Sequence, residues 1–394
     1  MKLHLTVPVA IFTTLITAAA ATGNPLLYLL ALMTVFTVLL CFAGVLWASA
    51  TMQISAECEQ ETVCRGDDVS VLLRVRHRGW IPVAPVSLEV NTLSGEQKRE
   101  IRLKNNPGKM QTLRMPLHAA HVGVFSAGIH SCTVEDLMGI FQRRILPKDT
   151  EYSLAVMPLT FETDPLEMAP GDPGSEMMAR ATEDLSAPSD IRTYQPGDAM
   201  KKIHWKLSLR KGELMVRKFD EPVLQETLIL MDCSKPPDLG HAEAEADLRD
   251  ALLETAASLF SDQVKAEYTV RMPLTGNHPV DLDDRMGIPI AFDYLTRLDF
   301  SAAERFEQAL MMESRRLTKV GCVAVVTARL NGSMTEMMIR MHRMGPNLRL
   351  YLVTFVPDDP GFIPLVGRLE HAGIEVEFIT PDRQTGAGQL YSKG

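Results

Sequence analysis

The sequence between residues 3 and 50 reads LHLTVPVAIFTTLITAAAATGNPLLYLLALMTVFTVLLCFAGVLWASA. No Asp, Glu, Lys or Arg occurs between Lys2 and Glu57. Two apolar spans, Leu3–Thr22 and Leu26–Ala50, are separated by Gly23-Asn24-Pro25, a combination typical of a turn. A helix rises about 1.5 Å per residue, so each span is long enough to cross a hydrocarbon core about 30 Å thick. The stretch predicts a two-helix transmembrane hairpin over residues 1–51.

The alternative interpretation is a cleaved signal peptide, because Lys2, the apolar run and Ala18–Ala21 resemble its three regions. The second span argues against it, since that span would begin almost directly after the cleavage site. Two spans return the chain to the side on which it started, and the positive charge of Lys2 favours the cytoplasm for that side. We therefore predict a multi-pass protein of the cell membrane with its soluble part in the cytoplasm.

The overall composition excludes several classes of protein. The chain has 394 residues, of which 23% are charged and 46% hydrophobic, so a disordered chain is not expected. A net charge of −9 argues against a nucleic-acid-binding protein, which normally carries a basic surplus. Six scattered Cys in a chain of this length do not indicate a disulfide framework.

The region from residue 52 to residue 158 has alternating apolar and polar residues. Val69, Val71, Leu73 and Val75 fall on one face of an extended chain, and similar short runs are separated by turn residues such as those at 106–108. The pattern predicts an antiparallel β-sandwich-like domain over residues 52–158.

The next region differs in charge. Between Leu159 and Asp190 eight acidic residues accompany one base, Arg180, among several Pro and Gly. This composition predicts a solvated acidic linker. We assign residues 159–225 to this linker together with a basic segment and a strand that follow it.

From residue 226 onward short apolar runs alternate with helical patterns. Strands are predicted at residues 227–231, 320–327, 348–356 and 374–379, and helices at residues 242–260, 333–344 and 363–372. Repeated strand–helix–strand units predict a doubly wound, mostly parallel sheet with helices on both faces over residues 226–380. Residues 381–394 are expected to form a flexible tail.

The densest local pattern lies between these regions, in residues 190–219, which we call the signature segment. We expect Asp198 to cap a helix whose buried face includes Ile203 and Leu207 and which ends at Gly212. Seven Lys or Arg occur between residues 201 and 218 against one acid, Glu213. The basic helix either balances the acidic linker with Tyr194 and Trp205 as packing anchors, docks an acidic partner, or contacts anionic lipid.

The candidate binding residues of the signature segment belong to one run of the chain. They are Tyr194, Pro196, Gly197, Asp198, Lys201, Lys202, His204, Trp205, Lys206, Arg210, Gly212 and Arg217.

These residues resemble a known motif. The runs Tyr194-x-Pro196-Gly197-Asp198, Ile203-His204-Trp205-Lys206 and Arg210-x-Gly212-Glu213-Leu214-x-Val216-Arg217 are similar to the signature of the "domain of unknown function fifty-eight" family of bacterial membrane proteins. Glu135–Phe141 is similar to that family's Asp-Pro-Phe-Gly-Leu-Phe stretch. The resemblance implies a von Willebrand A-like α/β domain and a MoxR-type AAA+ ATPase as partner, with other membrane proteins and the lipid bilayer as further contacts.

A von Willebrand A-like domain often holds a divalent cation after its first strand, so we tested that position. Asp232 and Ser234 match the expected Asp-x-Ser pattern, but Pro236 replaces a second hydroxyl. At the end of a later strand Ala328 stands where an acid is expected, with Arg329 beside it. We therefore treat Asp232 and Ser234 as a degenerate metal candidate and predict no metal and no other cofactor.

The sequence leaves two classes of function. The first is a non-enzymatic, membrane-anchored interaction protein that works with the ATPase in assembly, maturation or envelope-related processes. The second is a membrane-bound hydrolase or transferase with Asp232, His204 and Asp198 as candidate catalytic residues. An enzyme requires these three groups to converge within hydrogen-bond reach.

Overall fold

The structure is a computed structural model. It describes residues 2–3, 6–78, 86–93, 98–103, 109–148, 150–168, 190–193, 203–218, 226–275, 279–300, 305–381 and 389–391. The chain divides into two compact units, the first comprising residues 1–159 and 292–297 and the second residues 160–291 and 298–394.

The first unit begins with two consecutive helices, α1 (Thr6–Thr22) and α2 (Pro25–Thr51). Gly23 lies between them at φ 66°, and the Asn24 side chain accepts a hydrogen bond from the Leu26 amide at 3.0 Å to cap α2. The helices are about 26 and 40 Å long. Among the described residues α2 alone is long and apolar enough to cross a membrane by itself, since α1 has only 17 residues.

The predicted first span starts later than the sequence indicated. We expected it to begin at Leu3, but Lys2–Leu3 forms a short strand, β1, that pairs with residues 141–142 of the β-domain. The first residues of the chain therefore add a strand to a sheet, and the helix that follows is shorter than the apolar run.

The rest of the first unit is built from antiparallel strands, as the period-two pattern predicted, except that β3 and β10 pair in parallel. The strands are β2 (Met52–Cys58), β3 (Thr62–Cys64), β4 (Asp68–His77), β5 (Val86–Asn91), β6 (Lys98–Leu103), β7 (Met110–His118), β8 (Gly123–Glu135), β9 (Phe141–Ile145) and β10 (Glu151–Met157).

Two sheets enclose the core of this β-domain. One has the order β2-β4-β7, and the other runs β1-β9-β8-β10-β3 with β5 and β6 extending from β8. Val71, Leu73, Leu88 and Ile129 are fully buried in a single apolar cluster drawn from both sheets. The inward-facing residues of β4 are those that alternate in the sequence.

The last part of α2 packs on this β-domain. Ala48 is buried in the β-domain core, and the Phe42 and Phe141 rings meet edge to face with centroids 5.4 Å apart. Arg143 donates a hydrogen bond to the Ser49 hydroxyl at 2.9 Å. The apolar run that the sequence assigns to one span therefore has two parts, a first part that pairs with α1 and a part from Val38 onward that packs on the β-domain.

The second unit contains a sheet flanked by helices. Its elements are β11 (Asp190–Thr193), α3 (Trp205–Lys211), β12 (Met215–Lys218), β13 (Glu226–Met231), α4 (Ala242–Lys265), β14 (Thr269–Leu274), β15 (Val280–Asp283), α5 (Ile288–Thr296, which extends into residues grouped with the first unit), α6 (Phe306–Glu313), β16 (Val320–Thr327), α7 (Gly332–His342), β17 (Asn347–Val353), α8 (Ile363–His371), β18 (Glu375–Thr380) and β19 (Gln389–Tyr391).

The main sheet has the order β15-β14-β13-β16-β17-β18-β19. The five central strands are parallel, whereas β15 and β19 join the two edges antiparallel. β16 is buried at every position, as expected for a strand covered on both faces. The predicted mostly parallel sheet is present, and the sequence pattern missed β14, β15, α5 and α6. It also missed β19, because residues 389–391 of the predicted flexible tail pair with β18 at the edge of the sheet.

The start of the predicted acidic linker is packed on the second unit. The Phe161 amide donates to Ser258 Oγ at 3.0 Å, and the Thr163 hydroxyl donates to Asp262 at 2.9 Å. Asn347 of β17 donates to the Glu167 carbonyl at 3.1 Å, and Leu166 is 6% exposed. Residues 160–168, which we call the strap, therefore correct the prediction of a solvated linker, while residues 169–189 lie outside the described part of the chain.

Candidate functional site

The most favourable position for a site in the α/β sheet lies where β13 and β16 end. These two strands are parallel neighbours at the centre of the sheet, and the next parallel strands lie on opposite sides of them, β14 beyond β13 and β17 beyond β16. Such a reversal of strand order opens a crevice outside the carboxyl ends of the strands, where ligands of open α/β sheets bind.

Four side chains meet in this crevice. Asp232 follows β13 and is 3% exposed, and it accepts hydrogen bonds from the Thr327 hydroxyl at 3.0 Å and from the Ser234 amide at 3.1 Å. The Ser234 hydroxyl also contacts the Asp232 carboxylate. Arg329, which follows β16, places its guanidinium against both the Ser234 hydroxyl and Asp232 Oδ2, the latter at 3.4 Å.

The positive charge in the crevice is thus supplied by the chain itself. A divalent cation in this place would need several oxygen ligands and no competing cation. The groups present are one carboxylate, two hydroxyls and a guanidinium already bound to two of them, so they do not fit a metal ion. Over the described residues, no group of three or more His, Cys, Asp or Glu side chains is arranged to hold a metal ion.

The neighbouring thiol is not a nucleophile at neutral pH. Cys233 is buried directly beside Asp232, and burial raises the pKa of its thiol to about 11. A Cys that acts as a nucleophile needs a lowered pKa.

The three residues proposed for an enzyme have different positions. Asp232 is bound within the crevice, whereas His204 Nδ1 accepts a hydrogen bond from the Leu207 amide at 3.2 Å and caps α3. Asp198 lies outside the described residues. The structure assigns Asp232 and His204 separate structural contacts and does not show the convergence that an active site requires.

The signature segment forms a small unit of its own. β11 and β12 pair antiparallel, with Asp190 opposite Lys218 and Thr193 opposite Met215. α3 lies between the two strands in the sequence. Ile203 forms a bridge to Val216, and both side chains are buried. The helix begins at Trp205, so the predicted cap at Asp198 is wrong for this helix, because His204 caps it instead. The predicted end is confirmed, since Gly212 has φ 73° and follows Arg210 and Lys211 in the last turn.

A buried serine holds α3 against β12. Ser208 is 6% exposed, donates to the His204 carbonyl at 3.0 Å and accepts from the Met215 amide at 2.8 Å. The His204 amide in turn donates to the Met215 carbonyl at 2.8 Å. The short helix is therefore held in place by hydrogen bonds that Ser208 and His204 make with the Met215 backbone, and not by packing of an apolar face.

The prediction that Trp205 is a buried packing anchor is wrong. Trp205 is 60% exposed and Leu209, one turn further on, is 84% exposed. The error arose because Ile203 is buried as part of a bridge before the helix, and Ser208 rather than an apolar residue faces inward. Sequence reasoning missed Leu209 and Thr327, although the four-residue spacing of Trp205 and Leu209 indicates a shared helix face.

Of the predicted binding residues, six lie in the described part of the chain. His204 caps α3, Trp205, Lys206 and Arg210 are exposed on it, Gly212 ends it, and Arg217 belongs to β12. The others, which are Tyr194, Pro196, Gly197, Asp198, Lys201 and Lys202, lie outside the described residues.

Comparison with known proteins identifies the signature segment. Residues 190–275 match the family described as "Protein of unknown function DUF58", which confirms the resemblance predicted from residues 194–217. The "Uncharacterized protein YeaD" of Bacillus subtilis (strain 168) is 23% identical over 205 residues, which are 48% of this chain and 50% of YeaD. The matched region thus spans about half the length of this curated relative.

Similar solved structures are distant. The CARDB domain of the PF1109 protein from Pyrococcus furiosus is 12% identical over 27% of this chain and 91% of its own, with a TM-score of 0.20. Cwp6 from Clostridium difficile is 9% identical over 85% of this chain and 38% of its own, also with a TM-score of 0.20. These TM-scores are too low to indicate a shared fold.

Proposed function

On the premise that the chain belongs to the DUF58 family, we propose that it is a non-enzymatic, membrane-anchored interaction protein. It docks an acidic surface of a partner protein through α3. The partner that the family resemblance implies is a MoxR-type AAA+ ATPase, working with this protein in assembly, maturation or envelope-related processes.

The observation that carries the proposal is the exposed face of α3. Trp205 and Leu209 lie in water on a helix whose position is fixed by Ser208 and His204. Large apolar side chains that are held rigidly and surrounded by charge are typical of the central contacts of protein interfaces, where Trp and Arg are enriched. Because the helix is already ordered, docking costs little conformational entropy.

The charges around this face select the partner. Lys206, Arg210 and Lys211 are exposed on the same helix, with one exposed acid, Glu213, directly after it. In a chain of net charge −9 this local positive charge attracts an acidic surface and disfavours basic ones. An apolar pair flanked by bases therefore fits a partner that presents an apolar cleft bordered by carboxylates.

The proposal includes anchoring by α1 and α2 as a two-span hairpin with the soluble units in the cytoplasm. Its support is the exposure of apolar side chains, since Leu26, Leu32, Phe36 and Leu39 of α2 are each at least 60% exposed. Exposed apolar surface of this extent favours burial in lipid. A reporter fused after Gly394 should behave as cytoplasmic, and periplasmic alkaline phosphatase activity from that fusion would contradict the proposed topology.

The second unit is proposed to be von Willebrand A-like. Five central parallel strands and the Asp232-x-Ser234 run after β13 support this interpretation. The guanidinium of Arg329 then occupies the place of the cation, and the partner is recognised by α3 instead of through a bound metal.

The docking proposal is tested by partner capture from detergent-solubilised native membranes, followed by affinity measurement with the captured ATPase. We expect Trp205→Ala with Leu209→Ala to raise Kd at least about tenfold, since a central interface residue contributes about 2 kcal/mol or more. Lys206→Glu with Arg210→Glu should also raise Kd, and the increase in Kd should be larger at low salt than at high salt because salt screens exposed charges. Met312→Ala, at a side chain 57% exposed on α6, and Arg315→Glu are the matched controls and should leave Kd unchanged.

Two outcomes separate the parts of the proposal. Capture of the ATPase with unchanged affinity in all α3 variants would remove α3 as the docking surface. Capture of no AAA+ ATPase by the unaltered protein, with α3-dependent capture of another protein, would keep the surface and replace the partner.

A further inference from the structure

The turn between β8 and β9 presents two large apolar side chains to the outside. Leu137 is 69% exposed and Met138 is 67% exposed, whereas Ile140 and Phe141, which follow, are buried against Val45. A soluble loop normally places polar residues at such positions. The surface of Leu137 and Met138 therefore needs an apolar environment.

Four backbone amides of this turn donate hydrogen bonds within it. The Asp136 carboxylate accepts from the Met138 amide at 2.9 Å and from the Phe141 amide at 2.6 Å. The Gly139 amide donates to the Asp136 carbonyl at 3.1 Å, and the Asp136 amide donates to the Phe141 carbonyl at 3.2 Å. A loop that enters hydrocarbon needs internal partners for its backbone groups, and these bonds supply them for the amides of residues 136, 138, 139 and 141.

The turn lies beside the free parts of α1 and α2. A cavity of about 520 Å³ separates them, and its lining is almost entirely apolar. It is lined by Val7, Pro8, Ile11, Leu15, Leu30, Met33, Thr34, Thr37, Val38, Met138, Gly139 and Ile140. The exposed surface of the turn is thus continuous with the exposed apolar surface of the two helices.

The lengths of the helices set the depth of the turn. Residues 25–40 of α2 are about 24 Å long and α1 is about 26 Å long, so the two helical segments have similar lengths. Within them the lining residues nearest the β-domain, Val7, Ile11 and Val38, lie about 2–8 Å from that end. Amphipathic elements at a membrane surface bury their apolar side chains to about 5–10 Å.

We propose that Leu137 and Met138 insert into the lipid bilayer beside α1 and α2, as a third membrane contact that seats the β-domain on the membrane surface. The proposal rests on the proposed membrane anchoring by the two helices. The part of the lipid that these side chains contact is the acyl region. The lining of the adjoining cavity offers hydroxyls only from Thr34 and Thr37 and no charged group that could recognise a headgroup.

Three leucines of equal exposure make a matched test. Leu32 lies on α2 (68% exposed), Leu137 lies on the turn (69%), and Leu146 lies just beyond the other end of β9 (68%). Phe141 and Ile145 are about 13 Å apart along β9, so Leu146 belongs to the same domain but lies beyond the end of β9 opposite the turn. Each Leu→Trp variant of the full chain is reconstituted in nanodiscs of ordinary or brominated phosphatidylcholine, and the unaltered protein's emission is subtracted.

We expect the added emission of Leu32→Trp and of Leu137→Trp to be blue-shifted and to lose most of its intensity in brominated lipid. The added emission of Leu146→Trp should keep its intensity and have the wavelength of a Trp in water. Equal quenching in Leu137→Trp and Leu146→Trp would overturn the proposal. So would a blue shift of Leu137→Trp without quenching, which would show that protein covers the turn.

The test also separates this inference from the anchoring on which it rests. Quenching of Leu32→Trp with none in Leu137→Trp would keep the spanning helices and reject insertion of the turn. Absence of quenching in Leu32→Trp would reject the anchoring itself. Thermal unfolding of each variant confirms that it is folded before the spectra are compared.

Discussion

We predict that Glu377 makes the stability of the second unit depend on pH near neutrality. It lies on β18 directly opposite Tyr351 of β17, in the part of the sheet where Arg349 donates to the strap through the Asp164 carbonyl at 3.3 Å. Burial raises the pKa of Glu377 from 4.5 to about 7, the negative charge of Asp164 adds to the rise, and Arg349 opposes it.

The sign of the effect follows from proton binding. Between pH 4.5 and about 7 the unfolded chain releases the Glu377 proton while the folded protein keeps it, so this carboxyl contributes stability that is fully present below pH 4.5. That contribution is lost as the pH rises to about 7, and the loss is complete above that. A pKa difference of this size corresponds to about 1–3 kcal/mol after allowance for partial exposure to solvent.

We expect Glu377→Gln to remove this loss. The variant should match the unaltered protein near pH 4.5 and should be more stable by about 1–3 kcal/mol at pH 8, because the amide has no proton to release. The measurement is the free energy of unfolding between pH 4.5 and 8, followed by amide hydrogen exchange of β17 and β18, since a chain of two units need not unfold in one step.

Glu375→Gln is the matched control for this experiment. Glu375 lies two residues earlier on the same strand, forms an ion pair with Arg349 and has a side chain 64% exposed. Its replacement should produce no gain at pH 8. An unaltered pH dependence in Glu377→Gln, or an equal gain in Glu375→Gln, would refute the assignment of the pH dependence to Glu377.

Four further substitutions test the geometry elsewhere. Ser208→Ala leaves the buried Met215 amide without its acceptor and should cost about 1–3 kcal/mol, visible as faster hydrogen exchange in residues 203–218, whereas the exposed Trp205 tolerates Ala with no change in Tm. Gly128→Ala places a Cβ 2.1 Å from the Thr150 carbonyl oxygen at φ 124°, so we expect a loss of about 3 kcal/mol or more in chemical denaturation. Arg329→Ala should lower stability by about 1–3 kcal/mol, less than for a fully buried pair because its side chain is 41% exposed, and millimolar Mg²⁺ should leave the Tm of the unaltered protein unchanged.

Patterns of hydropathy predicted the strands and helices whose burial is regular. The alternation of Val69, Val71 and Leu73 specified a half-buried strand, and the continuous apolar run of residues 320–327 specified a strand buried on both faces. These predictions succeeded because one physical property, burial of a repeating face, determines both the pattern and the element.

The errors occurred where contacts distant in sequence decide the outcome. The strap contains three acidic residues and one Pro, a composition typical of a solvated loop. Nothing local therefore shows that Ser258 and Asp262 of α4 bind its backbone and side chains. The apolar run of α2 is uniform in hydropathy, although its last residues pack on the β-domain and its first ones lie beside α1. Trp205 is a large aromatic residue of the kind usually buried in a core. Only the burial of Ser208 shows that α3 turns its serine face inward and leaves Trp205 exposed.

In the crevice at the ends of β13 and β16 the positive charge belongs to a side chain, Arg329, and not to a bound ion. A metal ion leaves its site when its concentration falls, whereas the Arg329 guanidinium is present at a fixed, high effective concentration set by the chain that connects it to β16. We therefore expect that chelators and changes in Mg²⁺ concentration do not alter the charge of this crevice. The charges of the crevice are carried by Asp232 and Arg329 themselves, so they do not depend on the supply of a metal ion.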